Sequence, residues 1–250
     1  MLRRPPSEAL LAEFTRNCAA RLPSQPQPEL CRSLASQLSA VLELDRGETL
    51  AHAGAQLQSL YLLASGAFKS VMLGEDGSQQ VVYFYWPGEL MELNALAARR
   101  YLTDVVAVAP SRVYELPMQR IERLGQQQPR LLESLLEHVS DRLAEAERSQ
   151  YMLGSLNAAQ RLAFLLTDTL QRREHAPALP LLPLPMNRGE LASYLGIAPE
   201  TVSRLLGWFR RQGIIRMQPG RVVEVLDAPR MHEILLGEAP GGSPLSALGA

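Results

Sequence analysis

Cysteine is nearly absent from this 250-residue chain: Cys18 and Cys31 are the only two. Two thiols build no disulfide framework, and a four-cysteine iron–sulfur cluster within one chain is excluded. The four histidines, His52, His138, His175 and His232, show no spacing diagnostic of a metal site. No nucleophile elbow, phosphate-binding loop or dinucleotide glycine fingerprint is present, which argues against an enzyme. No apolar run approaches the length of a membrane span. The opening MLRRPPSEALLAEF has arginines but no apolar stretch with a small-residue cleavage site, so no signal peptide is expected and the expected compartment is the cytoplasm. The net charge is −1, from 25 basic and 26 acidic residues, so any attraction for a polyanion must come from one face rather than from the whole molecule.

Such a face is present in the sequence. Between Asn187 and Arg221 lie six arginines, Arg188, Arg204, Arg210, Arg211, Arg216 and Arg221. Only Glu190 and Glu200 oppose them there, an excess of four positive charges. The same stretch, RGELASYLGIAPETVSRLLGWFRRQG, has the pattern of a helix-turn-helix. Ala192 leaves room for a close helix crossing, and Gly196 supplies the left-handed turn. Pro199 suits the first position of the second helix. Val202, Leu205, Leu206 and Phe209 form its buried stripe. Glu200, Ser203 and Arg204 then share one exposed face in the first turns, where a recognition helix reaches base edges. A carboxylate accepts from cytosine N4, and a guanidinium forks onto guanine O6 and N7. Arg188, Thr201, Arg210 and Arg211 complete the expected set of DNA contacts. The competing reading is an amphipathic helix pair that merely folds.

The rest of the chain divides by pattern into five parts. Residues 1–27 form a polar, proline-containing leader. Residues 28–118 form a sensor domain that opens with helical periodicity in Leu30, Leu34, Leu38, Val41 and Leu42. It continues in short strands, with Gly54, Gly66, Gly77 and Gly88 recurring every 11 or 12 residues. Asp76-Gly77 and Pro87-Gly88 are turn signals, and the whole is expected to be a small antiparallel roll. Residues 119–153 contain a long helix. Leu132, Leu136, Val139, Leu143, Ala146, Gln150 and Leu153 alternate along it at the spacing of a coiled-coil seam. That is expected to be a dimer interface, with packing within one bundle as the alternative. Residues 154–238 hold a hinge at Gly154-Ser155, a helix from Asn157 to about Arg173, an extended segment from Leu179 to Met186 and the helix-turn-helix. A hairpin wing then turns at Pro219-Gly220, and a short helix follows from Ala228 to Leu236. Residues 239–250 are expected to be a disordered tail. The fold class is α+β: a β-roll, a long dimerisation helix and a winged helix-turn-helix.

This order of parts resembles the Crp/Fnr family of bacterial transcription regulators over roughly residues 28–236. The likeness is strongest in RGELASYLGIAPETVSRLLGWFRRQGII, where Glu200, Ser203 and Arg204 match the Fnr-like branch. The resemblance implies a homodimer on a palindromic double-stranded DNA site with TTGA-type half-sites, acting beside RNA polymerase. It further implies that Glu200 and Arg204 read a C·G pair and that Ser203 meets a thymine. Pro199 replaces the longer side chain of many members.

The signal is less defined. Cyclic-nucleotide binders of the family carry a Gly-Glu pair and an Arg-Ser or Arg-Thr pair at the phosphate. Here the stretch is GELMELNALAARRYLTDVV, with Glu92 and Leu93 at the first pair and no second pair. An added carboxylate repels a phosphate, so cyclic AMP is not the expected ligand. Tyr114 stands about where iron–sulfur members have their distant cysteine. Haem is an alternative, with His52 or His138 as candidate axial ligands, although ordinary surface or core histidines explain both. Tyr83, Tyr85 and Trp86, with Glu89, are candidates for an organic-effector pocket, and regulation without any effector is the remaining option. A cupin-like roll enzyme would need several histidines in the roll, which offers only His52. A module that docks a protein rather than DNA is opposed by the basic charge around the second helix.

Overall fold

A computed structural model describes residues 1–19, 28–173 and 181–238. Contacts divide the chain into two units, Met1–Ala144 and Glu145–Ala250. No helix among the described residues is long and apolar enough to cross a membrane.

The first unit opens with β1 (Leu2–Arg4), α1 (Glu8–Ala19) and α2 (Pro28–Ser36), followed by β2 (Ala40–Leu44) and β3 (Thr49–Ala51). Next come β4 (Ser59–Ser65), β5 (Phe68–Leu73), β6 (Gln79–Tyr85), β7 (Leu90–Met91), the short α3 (Ala95–Ala98), β8 (Asp104–Ala107) and β9 (Ser111–Pro117). Then follow α4 (Met118–Gln127) and α5 (Pro129–Ser155). The strands form two antiparallel sheets, ordered β1-β2-β9-β4-β7 and β3-β8-β5-β6. Their buried side chains, Leu60, Leu63, Phe68, Met91, Val105 and Val113 among them, belong to one core. The roll requires a tight reversal between β4 and β5. Gly66 makes it with φ +91°, where a Cβ would collide with Ser111 and Pro110.

Two features differ from the sequence pattern. The leader is structured: β1 adds to the edge of β2, pairing Leu2 with Glu43, and Phe14 of α1 is buried edge-on against Tyr114 at 5.1 Å. Its polar composition hid an apolar stripe at Leu10, Leu11 and Phe14. Residues 20–27 of the leader lie outside the described residues. The helical periodicity from Leu30 to Leu44 also runs too far. The helix ends at Ser36, and Val41 and Leu42 are buried in β2, which pairs with both β1 and β9. A short apolar run satisfies the helical and the buried-strand pattern alike, and only the partner strands decide between them.

The helix α5 begins in the first unit and ends in the second. Gly154, expected as a hinge, is inside its last turn. The break falls instead at Leu156-Asn157. There the Asn157 carboxamide accepts from the amides of Ala159 and Gln160, and Gln160 Oε1 accepts from the Asn157 amide at 3.0 Å. This reciprocal cap starts α6 (Ala158–Arg173), so a capping residue rather than a glycine sets the joint.

In the second unit α6 is followed by β10 (Leu181–Pro183), α7 (Arg188–Leu195), α8 (Pro199–Arg211), β11 (Ile215–Gln218), β12 (Val222–Val225) and α9 (Ala228–Leu236). The small sheet has the order β10-β12-β11. His175 and the tail 239–250 lie outside the described residues.

Candidate nucleic-acid interface

Local chemistry fixes both helices of the motif. Asn187 caps α7: its side chain accepts from the Glu190 amide at 2.8 Å, and Glu190 accepts from the Asn187 amide at 2.6 Å. Gly196 ends α7 at φ +63°, and its amide donates to the carbonyl of Ala192. A side chain at Gly196 would crowd Arg161 and Leu153, and Arg161 donates to the carbonyls of Leu195, Gly196 and Leu153. Pro199 opens α8, and Val202, Leu205, Leu206 and Phe209 are buried beneath it.

With that stripe buried, Glu200, Ser203 and Arg204 are exposed together and Thr201 is half-buried beside them. The Ser203 hydroxyl donates to the Pro199 carbonyl at 3.1 Å, so toward an outside partner it offers lone pairs rather than its proton. Arg210 and Arg211 are exposed in the last turn. Gly207, which the sequence pattern did not single out, lies on the same stripe as Glu200 and Ser203. A Cβ there would sit 3.5 Å from Arg211 Nη1, an ordinary contact distance, so the Arg211 guanidinium lies close over this stripe. Arg188 is exposed at the start of α7; partial burial, then the neighbouring Arg221, lowers its pKa. In the wing Arg216 is paired with Glu224 at 3.1 Å, and Gln218 donates to the same carboxylate.

The expected effector residues of the roll form a packed cluster. Tyr83, Tyr85 and Trp86 are buried, the two tyrosine rings meeting edge-on at 4.7 Å. The Glu89 carboxylate accepts from the Tyr83 hydroxyl and the Trp86 amide, both at 3.3 Å. From α5, Arg142 lies over the Tyr83 ring. Beside this cluster stands Glu92, fully buried and held at φ +66°. Its Oε1 accepts from Ser70 at 3.1 Å and Tyr85 at 3.2 Å, and Thr103 completes the group 3.0 Å from Ser70. Its Oε2 is buried without a hydrogen-bond partner. Burial raises the Glu92 pKa above the usual carboxylate range, against the opposing pull of those hydroxyls and of Arg142. Ser70, Thr103 and Arg142 were not legible as members of this group, because three distant segments supply them.

Neither candidate haem ligand fits that role in this structure. The His52 side chain is 74% exposed, with Nδ1 3.7 Å from Asp104. His138 lines an apolar cavity of about 40 Å³ with Phe14, Leu34, Leu60 and Leu131, space for a few waters and far below a haem. Burial lowers the His138 pKa, with Asp141 and Glu137 acting in the opposite direction.

A basic helix-turn-helix carried on the same chain as a β-roll defines a DNA-binding regulator, and the comparisons with known proteins agree. The family description "Crp-like helix-turn-helix domain" matches residues 160–234, and "Cyclic nucleotide-binding domain" matches residues 41–128. The fumarate and nitrate reduction regulatory protein of Salmonella typhimurium is 30% identical over 187 residues, 73% of this chain and 75% of that protein. The transcriptional activator protein anr of Pseudomonas aeruginosa is 29% identical over 199 residues, 79% of this chain and 81% of that protein. The structure of FixK2 from Bradyrhizobium japonicum shares the fold with a TM-score of 0.71 at 22% identity, covering 81% of this chain and 98% of that one. The chain belongs to the Crp/Fnr family of transcription regulators, a family of DNA-binding proteins rather than enzymes.

Proposed function

We propose that this regulator works as a cytoplasmic homodimer that reads a palindrome with TTGA-type half-sites and acts beside RNA polymerase. The observation that carries the reading is the face of α8: Glu200, Ser203 and Arg204 stand exposed together on a helix whose opposite stripe is buried. That arrangement suits base contacts in the major groove, with Arg204 and Glu200 on one C·G pair and Ser203 near a thymine. Two recognition helices need a two-fold. The seam on α5 supports one, since Leu136 is 69% and Leu143 62% exposed in the single chain, alongside exposed Leu132, Val139, Ala146, Gln150 and Leu153. Exposed apolar side chains at heptad spacing are stabilised by a second copy.

The roll passes its state to the DNA-binding unit through α5 and the capped joint at Asn157. Packed aromatics and the buried carboxyl group of Glu92 favour a reading in which no cyclic nucleotide binds there, because that group, neutral or ionised, gives a phosphate no positive charge to pair with.

The test is fluorescence anisotropy on a palindromic duplex and on a scrambled one. Arg204→Ala should cost roughly 1–3 kcal/mol on the palindrome and relax the preference at one base pair. An equal loss on both duplexes assigns Arg204 to phosphate alone and overturns its role in base recognition.

A further inference from the structure

One side chain in the second unit holds two helix ends. Helix α5 ends at Ser155 and α7 at Leu195, and the last carbonyls of a helix have no partner within it. Arg161, half-buried near the start of α6, donates to both ends. At the end of α5 its Nε donates to the Leu156 carbonyl and its Nη2 to that of Leu153, each at 2.8 Å. At the end of α7 its Nη1 donates to the carbonyls of Leu195 at 2.9 Å and Gly196 at 3.3 Å. The flat fork of a guanidinium suits this division, and its charge lies at the negative ends of both helix dipoles. Gly196 admits the approach, since a Cβ there would come within 3.2 Å of Arg161 Nη1 and 3.3 Å of Leu153 Cδ2.

Other contacts support the clasp. From Glu145 on, α5 belongs to the same unit as α6 and α7. Glu145 lies 3.7 Å from Arg172 of α6, which pairs with Asp168 at 2.8 Å, and these side chains are only 12–16% exposed. The hydroxyls of Ser149 and of Tyr194 in α7 meet at 3.5 Å. The last turns of α5 are thus tied to α6 and α7 at Glu145, Ser149 and Leu153, and the junction at Leu156-Asn157 is bracketed rather than free to bend. Gly196 leads through Ile197 and Ala198 straight into α8. One guanidinium therefore stands between the end of the helix that carries the seam and the turn that aims the recognition helix.

We propose that Arg161 is a positioning residue for DNA recognition: its clasp fixes α8 relative to the end of α5 and so sets the half-site spacing that the dimer accepts. This rests on the reading of two copies of α8 held in a dimer. Moving a half-site by one base pair shifts it by about 3.4 Å and turns it by roughly 35°. The dimer follows only by opening a clasp, which breaks at least one hydrogen bond to a charged group and costs about tenfold in affinity or more.

The experiment measures binding of full-length wild type, Arg161→Gln and Arg161→Lys to palindromes whose half-sites are moved together or apart by single base pairs, and to duplexes with single changes inside a half-site. Wild type should lose about tenfold or more at each shifted spacing. Arg161→Gln should bind its best spacing more weakly and the shifted ones nearly as well. Arg161→Lys should behave alike, because an ammonium on a flexible stem does not span both helix ends, and it carries the test if Arg161→Gln does not fold. Both variants should keep the wild-type base preferences inside the half-site. Folded variants as strict in spacing as a strict wild type overturn the clasp and leave the dimer reading intact. Variants that lose base preference inside the half-site also overturn it, since Arg161 then supports α8 as a whole rather than its position. A wild type indifferent to spacing overturns the dimer reading and the clasp with it. In the wild type, nitrogen NMR of the guanidinium should resolve the two Nη groups, and one averaged signal would show the clasp open in solution and overturn its role.

Discussion

The guanidinium of Arg142 lies 3.3 Å from the centroid of the Tyr83 ring, and 5.5 Å from that of Tyr85. Arg142 belongs to α5 and the tyrosines to β6, so a cation–π contact ties the long helix to the interior of the roll. On the same helix Leu136, Val139 and Leu143 point away to solvent. One helix thus holds the roll with one face and presents the proposed dimer seam with another. Replacing Arg142 with Met keeps much of the stem and removes the charge. We expect a loss of about 1–2 kcal/mol, the range for a partly desolvated cation over an aromatic ring. Chemical denaturation measures it, and a variant as stable as wild type would show that the contact contributes only packing.

Glu92 makes stability depend on pH in a definite direction. Its folded-state pKa is raised, chiefly by burial, above the ordinary value of 4.5. Its contribution is therefore fully present below that value and is lost as pH rises through the raised folded value. Glu92→Gln cannot ionise. The melting temperature of the variant relative to wild type should climb as pH is raised from about 4.5 to 7. A flat difference across that window would mean that Glu92 titrates normally.

His138 has the opposite sign. Burial lowers its pKa below 6.5, so the folded state favours the neutral ring. Its contribution is present above that value and lost as pH falls through the lowered one. His138→Leu should gain on wild type as pH is lowered from about 7 to 5. The surroundings of His138 and His52 also predict that protein purified without oxygen absorbs only through its aromatic side chains. A Soret band would contradict this, and with it the account of the small apolar cavity.

The seam predicts assembly. Leu136→Glu or Leu143→Glu sets like charges against each other across a two-fold, and light scattering should report a monomer. Palindrome binding should then fall roughly 10²-fold or more, the avidity of two linked half-sites. A variant that stays dimeric would place the interface elsewhere.

Much of the DNA-binding unit was legible in the sequence because its signals are local. Gly196 makes an αL stop and Pro199 a helix start, and α9 runs over the expected Ala228–Leu236; the Asn187–Glu190 capping box and the Asp227 cap are equally local but were missed. The first unit was less legible because its choices are made at long range. Val41 and Leu42 become strand through partners some 70 residues away, at Tyr114 and Val113. The left-handed Glu92 depends on hydroxyls from β5 and β6 and from Thr103, and no local spacing announces that group. In the recognition helix, spacing gave the exposed face but not that Ser203 spends its proton on Pro199.

The central claim is that two copies of α8, held by the seam, read two related half-sites. Selection of bound duplexes from a randomised pool by the full-length protein tests it most directly. The account predicts enrichment of an inverted repeat with half-sites of the TTGA type, its centres about one helical turn apart. Enrichment of a single unpaired half-site, or of no sequence above background at moderate salt, would contradict it.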